Sequence, residues 1–295
     1  MKYAILKYLI KYKDIVVWNK GPSFVYRSVI GYNLHKISCV LRNQKSCVDC
    51  FLNKTCAYAS FFETTIDKDN SIIEGRDKVS HPYVINYLKQ DDKSGILTIT
   101  YIGNGCNYIP HVHEALLNGE EKGIGKNRVP YYIECITSDN HEVDLTVSNM
   151  NKIFKNWPSK TFDLPQNLIL KLTTPCRIKK GGLYVSTVDF ELLIESIYKR
   201  MQILESMYGY AEILENPINH QFPKATIIRE RWIDKNYYSS RQQDLLKLGG
   251  VIGDIQVNDI FDETIKNYIE AMTIFNVGKN ISFGLGRVEI EEVFL

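Results

Sequence analysis

Val277-Gly278-Lys279-Asn280-Ile281-Ser282-Phe283-Gly284-Leu285-Gly286-Arg287-Val288-Glu289-Ile290-Glu291-Glu292-Val293-Phe294 decides how this chain is read. Its glycines follow G-x5-G-x-G and run into Arg287, after which Val288, Ile290 and Val293 alternate only roughly, as in a terminal strand. Apolar residues at helical spacing occupy Phe261 to Phe275 just upstream, so the chain ends helix, glycine-rich connection, strand. An earlier stretch ends the same way. Pro110 to Leu117 reads as a short helix, Gly119, Gly123 and Gly125 as a connection closing on G-x-G-K at Lys126, and Arg128 to Thr137 as a strand. One fold used twice explains both endings.

Working outward from these endings gives the rest of each half. In the first, Met1 to Trp18 has strand character, with alternation that falters around Tyr8 to Ile10. Gly21-Pro22-Ser23 opens a helix with Ser23 as N-cap, and Val25, Val29, Ile30, Leu34, Ile37 and Val40 or Leu41 carry it forward. His81 to Leu88 and Ile96 to Ile102 read as strands. In the second half, Leu168 to Leu172 is a strand, Asp189 to Met207 a helix, and Ala225 to Ile233 and Val251 to Val257 are strands. Each half has the order strand, helix, two strands, helix, strand, which is ferredoxin-like, or RRM-like. The expectation is an α+β protein of two such domains in tandem, at 1–147 and 167–295. Weak periodicity, Trp157-Pro158, Ser159 and Pro165 mark a linker at 148–166, and a cysteine-rich insert occupies about 39–60.

Composition bounds the function. The 295 residues are 44% apolar and 24% charged, an ordinary globular balance that excludes disordered, collagen-like and coiled-coil classes. No apolar run approaches the roughly 18 residues of a membrane span. Lys2, Lys7, Lys11 and Lys13 interrupt the only candidate secretory segment, so an intracellular, cytoplasmic protein is expected. Net charge is +2, yet residues 1–54 carry ten basic side chains against two acids. Such a concentration is the footprint of a polyanion partner, most often nucleic acid, and equally of a solvated basic face. Neither glycine-rich connection has the spacing of a dinucleotide fingerprint or a phosphate loop, which excludes a mononucleotide site. Exposed amides in such loops can still bind phosphate, and a structural turn explains the glycines as well.

Four of seven cysteines, Cys39, Cys47, Cys50 and Cys56, follow C-x7-C-x2-C-x5-C. A C-x2-C pair lets two thiolates grip one tetrahedral ion, and outer cysteines close the site. Structural zinc is the first reading and an iron–sulfur cluster the second, against four reduced thiols in a loop. Cys106, Cys135 and Cys176 are scattered and read as small core residues. A second basic stretch, Gln221 to Lys247, interleaves Arg229, Arg231 and Arg241 with Trp232, Tyr237 and Tyr238. Cations for phosphate and rings for unpaired bases suit RNA. Strand spacing places Trp232 in the core and leaves Tyr237 or Tyr238 exposed.

These features together resemble a known family. Gly21-Pro22-Ser23-Phe24-Val25-Tyr26-Arg27-Ser28-Val29-Ile30-Gly31 looks like the first-helix opening of the CRISPR-associated RAMP superfamily. Cys47-x2-Cys50-x5-Cys56-Ala57-Tyr58, then Phe61-Phe62-Glu63 and His81-Pro82-Tyr83-Val84, resembles its precursor-crRNA processing endoribonucleases with a cysteine insert. Ala57 stands where that pattern usually has proline. Thr174-Pro175, Trp232, Tyr238 to Gln242, Gly249 to Gly253 and the terminal glycine loop extend the resemblance over the whole chain.

The resemblance implies a partner, CRISPR repeat RNA or precursor crRNA, and metal-independent attack of a ribose 2′-OH on the adjacent phosphate, leaving a 2′,3′-cyclic phosphate. A non-catalytic RAMP subunit holding crRNA among effector-complex subunits is the alternative; the chain acts as monomer or homodimer. Such cleavage needs a base, an acid and cations around the phosphorane. His35 is the first choice, since imidazole titrates near neutrality and this one lies on the basic first helix. Lys36 and Arg27 would stabilise phosphate charge, Tyr26 or Tyr32 would orient the 2′-OH, and Arg42 adds to the basic helix. Gly278, Gly284, Gly286 and Arg287 are expected on RNA backbone. His81, His111, His113, His141 and His220 rank lower.

Overall fold

A computed structural model describes the chain except residues 42–45, 65–71, 73–79, 147–149, 235, 240–243 and 294–295. It divides into two units, Met1–Asn156 with Ile203–Glu212, and Trp157–Gln202 with Ile213–Leu295. The division falls inside the stretch read as a linker. There Lys155–Asn156 pairs with the first strand, while the Trp157 indole donates to Asn267 O (2.9 Å) within the second unit.

The first unit contains β1 (Lys2–Tyr12), α1 (Pro22–Ser38), β2 (Tyr83–Lys89), β3 (Ser94–Ile102), α2 (Ile109–Leu117) and β4 (Tyr131–Ser138). Its antiparallel sheet has the order β2-β3-β1-β4, the ferredoxin-like arrangement. The faltering alternation of β1 has a structural counterpart, because its register with β4 shifts between Leu9 and Ile10. Leu6, Tyr8, Ile10 and Tyr12 still all face the core. That core is rich in tyrosine, and several of its hydroxyls pair within it: Tyr8 with Tyr101 (3.1 Å), Tyr12 with Tyr26 (3.0 Å), and Tyr131 to Leu116 O (2.6 Å).

The ends of α1 differ from expectation. Gly21, not Ser23, is the N-cap, and no side chain caps the helix. Pro22 stands at the first helical position, where a fixed φ favours the helix and the missing N–H costs nothing. The helix stops at Ser38, Cys39 is extended, and Val40 is 75% exposed, so the apolar spacing overshoots by a turn. Strand β2 begins at Tyr83, after Pro82, which has no N–H to give a ladder.

The second unit repeats the plan with β5 (Leu168–Cys176), α3 (Phe190–Tyr208), β6 (Lys224–Ile233), β7 (Gly250–Asn258), α4 (Glu263–Phe275) and β8 (Val288–Glu292), in the antiparallel order β6-β7-β5-β8. From Ile203 onward α3 belongs to the first unit. Asp189 accepts from the Leu192 amide (2.8 Å) before α3, and Asp262 caps α4 by accepting from Ile265 (3.0 Å). Cys106 and Cys176 are buried as expected, and Cys135 is half-buried. No described helix is long and apolar enough to cross a membrane.

Candidate nucleic-acid interface

Residues three and four apart share a helix face, so Tyr32, His35 and Lys36 form one patch on α1. Tyr32 and Lys36 are exposed and His35 is half-buried. The Lys36 ammonium lies 5.1 Å from the centroid of the Tyr32 ring, and Lys122 reaches the same ring at 5.4 Å. Lys122 also donates to Oδ1 of buried Asn33 (2.8 Å), which fixes the ammonium beside the helix. It comes from the first glycine-rich connection, so that connection supplies a cation that motif reading missed. An aromatic ring within reach of two ammonium groups, on the helix face that carries an imidazole, suits a base and its flanking phosphates.

Beneath His35 lies the segment that follows the cysteines. The His35 ring meets Tyr58 edge to face at 4.8 Å, and the Tyr58 hydroxyl donates to Glu63 Oε1 (2.8 Å). Tyr58 stacks on Phe62, and the Arg27 guanidinium covers the other part of this cluster, 4.4 Å from the Phe62 centroid. Gly31 makes the approach of Phe62 to the helix workable, because a Cβ there would sit 2.3 Å from the Phe62 ring. Arg27 donates to His81 Nε2 (3.4 Å), which leaves Nδ1 as the N–H facing Thr64 Oγ1 (3.0 Å).

Two first-helix assignments are corrected here. Tyr26 is fully buried with its hydroxyl paired to Tyr12, and burial and then the Tyr12 neighbour hold its pKa well above the ordinary tyrosine value, so it cannot meet an RNA ribose. Arg27 lies nine residues before Lys36, about half a turn away around the helix axis. It is half-buried on Phe62 and His81, and so serves the aromatic cluster rather than the exposed patch. Arg42 and Arg241 lie outside the described residues.

Cys39, Cys47, Cys50 and Cys56 are all reduced and half-buried. Burial raises the Cys47 thiol, as do Glu63 and the other three cysteines, so the four share one neighbourhood. The Cys56 thiol points to Ser38 O (4.0 Å) at the end of α1. Among the described residues, however, no three His, Cys, Asp or Glu side chains converge closely enough to hold a metal ion. The C-x2-C spacing brings the thiols near one another without setting their directions.

In the second unit, β6 is an edge strand and Arg229, Arg231 and Trp232 are exposed on it. Trp232 therefore departs from the core assignment: it is 40% exposed and its indole donates to Asp234 (2.8 Å). An edge strand lacks a neighbour on one side, and strand spacing cannot reveal that. Arg229 is engaged by Asp254 (2.6 Å). Tyr237 and Tyr238 lie on a short strand paired with Asp244–Lys247, and their side chains lie outside the description.

The glycine-rich loop turns inward. Gly284 and Gly286 are buried, and their amides donate to Ile281 O (2.8 Å) and Pro175 O (3.1 Å). The amides of Lys279 and Arg287 donate to Arg177 O (2.8 Å) and Thr174 Oγ1 (2.9 Å). A Cβ on Gly286 would lie 1.8 Å from Val277 O, and one on Gly278 would lie 2.6 Å from Arg177 O. These glycines let the loop press against its own unit, and the amides of Lys279, Gly284, Gly286 and Arg287 are spent within that unit rather than on a phosphate. Toward solvent it offers Lys279, with half-buried Arg287 paired to Glu289 (2.8 Å).

Comparison with known proteins agrees with the fold. Residues 170–288 match the family model of CRISPR-associated endoribonuclease Cas6, and residues 1–160 match one described as an N-terminal domain. No curated protein matches the chain. Among solved structures, a Cas6 product complex aligns over 98% of this chain and 99% of its own, at 12% identity and TM-score 0.58. Thermus thermophilus Cas6 aligns over 98% of each chain, at 12% and 0.53. A Cas6-related protein from Pyrococcus furiosus aligns over 98% and 99%, at 10% and 0.51.

Proposed function

Because residues 170–288 match the family model of CRISPR-associated endoribonuclease Cas6, we propose that this chain is a RAMP-type Cas6 endoribonuclease that binds CRISPR repeat RNA and cuts precursor crRNA once within each repeat. The observation that carries this reading is the exposed face of α1, where Tyr32, His35 and Lys36 stand together and Lys122 is held beside them. A phosphate drawn between Lys36 and Lys122 meets two cations that offset the charge gathering on the phosphorane. His35, half-buried at the same edge, either takes the proton from the attacking 2′-OH as the O2′–P bond forms or gives one to the 5′-oxygen as the P–O5′ bond breaks, and solvent water makes the other transfer. Tyr32 supplies a ring for the flanking base. The products are a 2′,3′-cyclic phosphate and a 5′-OH, and the step itself calls on no metal.

Incubating the pure chain with repeat RNA in EDTA tests this. Cleavage to a cyclic-phosphate end is the expected result. Binding without cleavage would make the chain a crRNA-holding RAMP subunit, and cleavage lost in EDTA would make it a metal-dependent nuclease.

The cysteines are a separate part of the reading. Four thiolates drawn together around Cys47 would close a structural zinc site that pins the insert to the end of α1. Elemental analysis of protein purified without added metal should find about one zinc per chain. Metal-free protein with four freely titratable thiols would remove the site and leave the RNA chemistry untouched.

A further inference from the structure

Between β5 and α3 the chain forms a ribbon that serves neither sheet. Lys179 pairs with Tyr184 and Lys180 with Leu183 around Gly181-Gly182. The two glycines have φ of 58° and 84°, as a two-residue hairpin turn of this hand requires. All six residues are exposed, and Leu183 is 76% exposed. A two-stranded ribbon alone in water is marginal. This one is braced from one side: the Arg177 guanidinium lies 4.3 Å and the Lys179 ammonium 4.9 Å from the centroid of the Tyr184 ring, and Val185 donates to Ile178 O (3.1 Å). Its order adds nothing to the core.

The foot of the ribbon is fastened to the glycine-rich loop. Arg177 is buried, its carbonyl accepts the Lys279 amide (2.8 Å), and Gly278 packs directly over it. From Thr173 to Ser186 and from Val277 to Arg287 the sequence contains no carboxylate. Arg177, Lys179, Lys180 and Lys279 therefore lie on two adjoining segments that carry no carboxylate of their own. Repeated cations, a ring held by its neighbours, and a Gly-Gly tip without Cβ atoms match a polymer with regularly spaced negative charge and flat bases. A protein partner would instead call for carboxylates interspersed with the cations or a continuous apolar patch.

We propose that the ribbon from Lys179 to Tyr184 is a second RNA contact, with Lys179, Lys180 and Lys279 on successive phosphates and Tyr184 against a base. The glycine-rich loop acts through it, as the rigid base that aims it. This inference rests on the reading of the chain as a repeat-RNA binder.

The test uses the full chain and labelled repeat RNA over a range of salt. Lys179→Ala with Lys180→Ala should weaken binding about tenfold at moderate salt and flatten the dependence of log Kd on log salt by about 1.5, as for two lost phosphate contacts. Tyr184→Ala should weaken binding about fivefold or more without changing that slope. Both proteins should keep the wild-type unfolding midpoint, because no altered side chain is in the core. Wild-type affinity and slope in the lysine variant would overturn the inference, as would intact RNA binding with loss of a protein partner. Failure of the unaltered chain to bind repeat RNA would instead overturn the reading beneath it.

Discussion

Helices α1 and α3 hold the same place in their halves, each crossing from the first strand to the second, but they spend their polar residues differently. On α1, Tyr32 is 58% exposed beside Lys36, and half-buried His35 rests on Tyr58. On α3, Arg200 is 6% exposed and its Nε donates to Phe275 O (3.1 Å) at the end of α4. One helix displays Lys36 to solvent, and the other uses Arg200 to hold two helices together. The glycine-rich connections divide similarly. The first brings Lys122 to α1, whereas the second spends its amides on β5 and the residues after it. A duplicated fold thus keeps its topology while its two copies place their polar residues differently.

The strongest way to break this comparison is to add side chains where both copies leave no room. Gly286→Val would place Cβ 1.8 Å from Val277 O at a φ of 69°, and Gly123→Val would place it 2.3 Å from Arg128 O at a φ of 67°. Each should cost at least about 3 kcal/mol in denaturant unfolding, the sum of a positive-φ penalty and a backbone clash. Little or no loss in either would mean that its glycines serve something other than packing.

Next is the contrast between the two helices. His35→Ala should bind repeat RNA almost normally and cut it at least about a hundredfold more slowly in single turnover, as expected when a general acid or base is removed. Arg200→Met should do the reverse, lowering stability by about 2 kcal/mol through loss of the bond to the Phe275 carbonyl while the folded fraction cuts at the normal rate. A normal rate in the first variant would move the proton transfer away from α1. Lys122→Ala should have a smaller effect, about three- to tenfold on cleavage, with the salt dependence of binding reduced as for one lost phosphate contact. An unchanged slope would restrict Lys122 to holding Asn33.

The smallest expected effect belongs to the second half alone. His220 lies between Asp262 (2.8 Å) and Glu215 (3.0 Å), and the bond to Asp262 chiefly raises its pKa above the ordinary 6.5. Burial works against ionisation of Asp262, but the Ile265 amide and His220 more than offset it and lower its pKa. A raised histidine contributes stability fully below 6.5 and loses it as pH rises through the higher folded value. The unfolding midpoint should therefore fall slightly from pH 6 to 8, and His220→Ala should flatten that trend. An equal slope in both proteins would exclude this contact as its source.

How far each of these features was open to sequence reading follows from the range of the interaction behind it. Apolar periodicity, turn glycines and the order of elements are local, and they were enough for the duplicated fold and every major strand and helix, with errors at element ends: Ser23 and Val40 on α1, and the first strand, read to Trp18, ends at Tyr12. The spacing of Tyr32, His35 and Lys36 is also local, since one turn of helix puts them on one face. Inward or outward orientation is not local. Tyr26 has the same chemistry as Tyr32 but sits under the sheet with Tyr12, and Trp232 lies on an edge that only strand order reveals. Lys122 meets Tyr32 across 90 residues of chain, and Arg177 joins the glycine loop across about a hundred. Composition and periodicity determined the kind of protein and the residues available for its chemistry; tertiary packing alone decided which of them face solvent together, because burial and long-range pairing depend on what the rest of the chain places alongside.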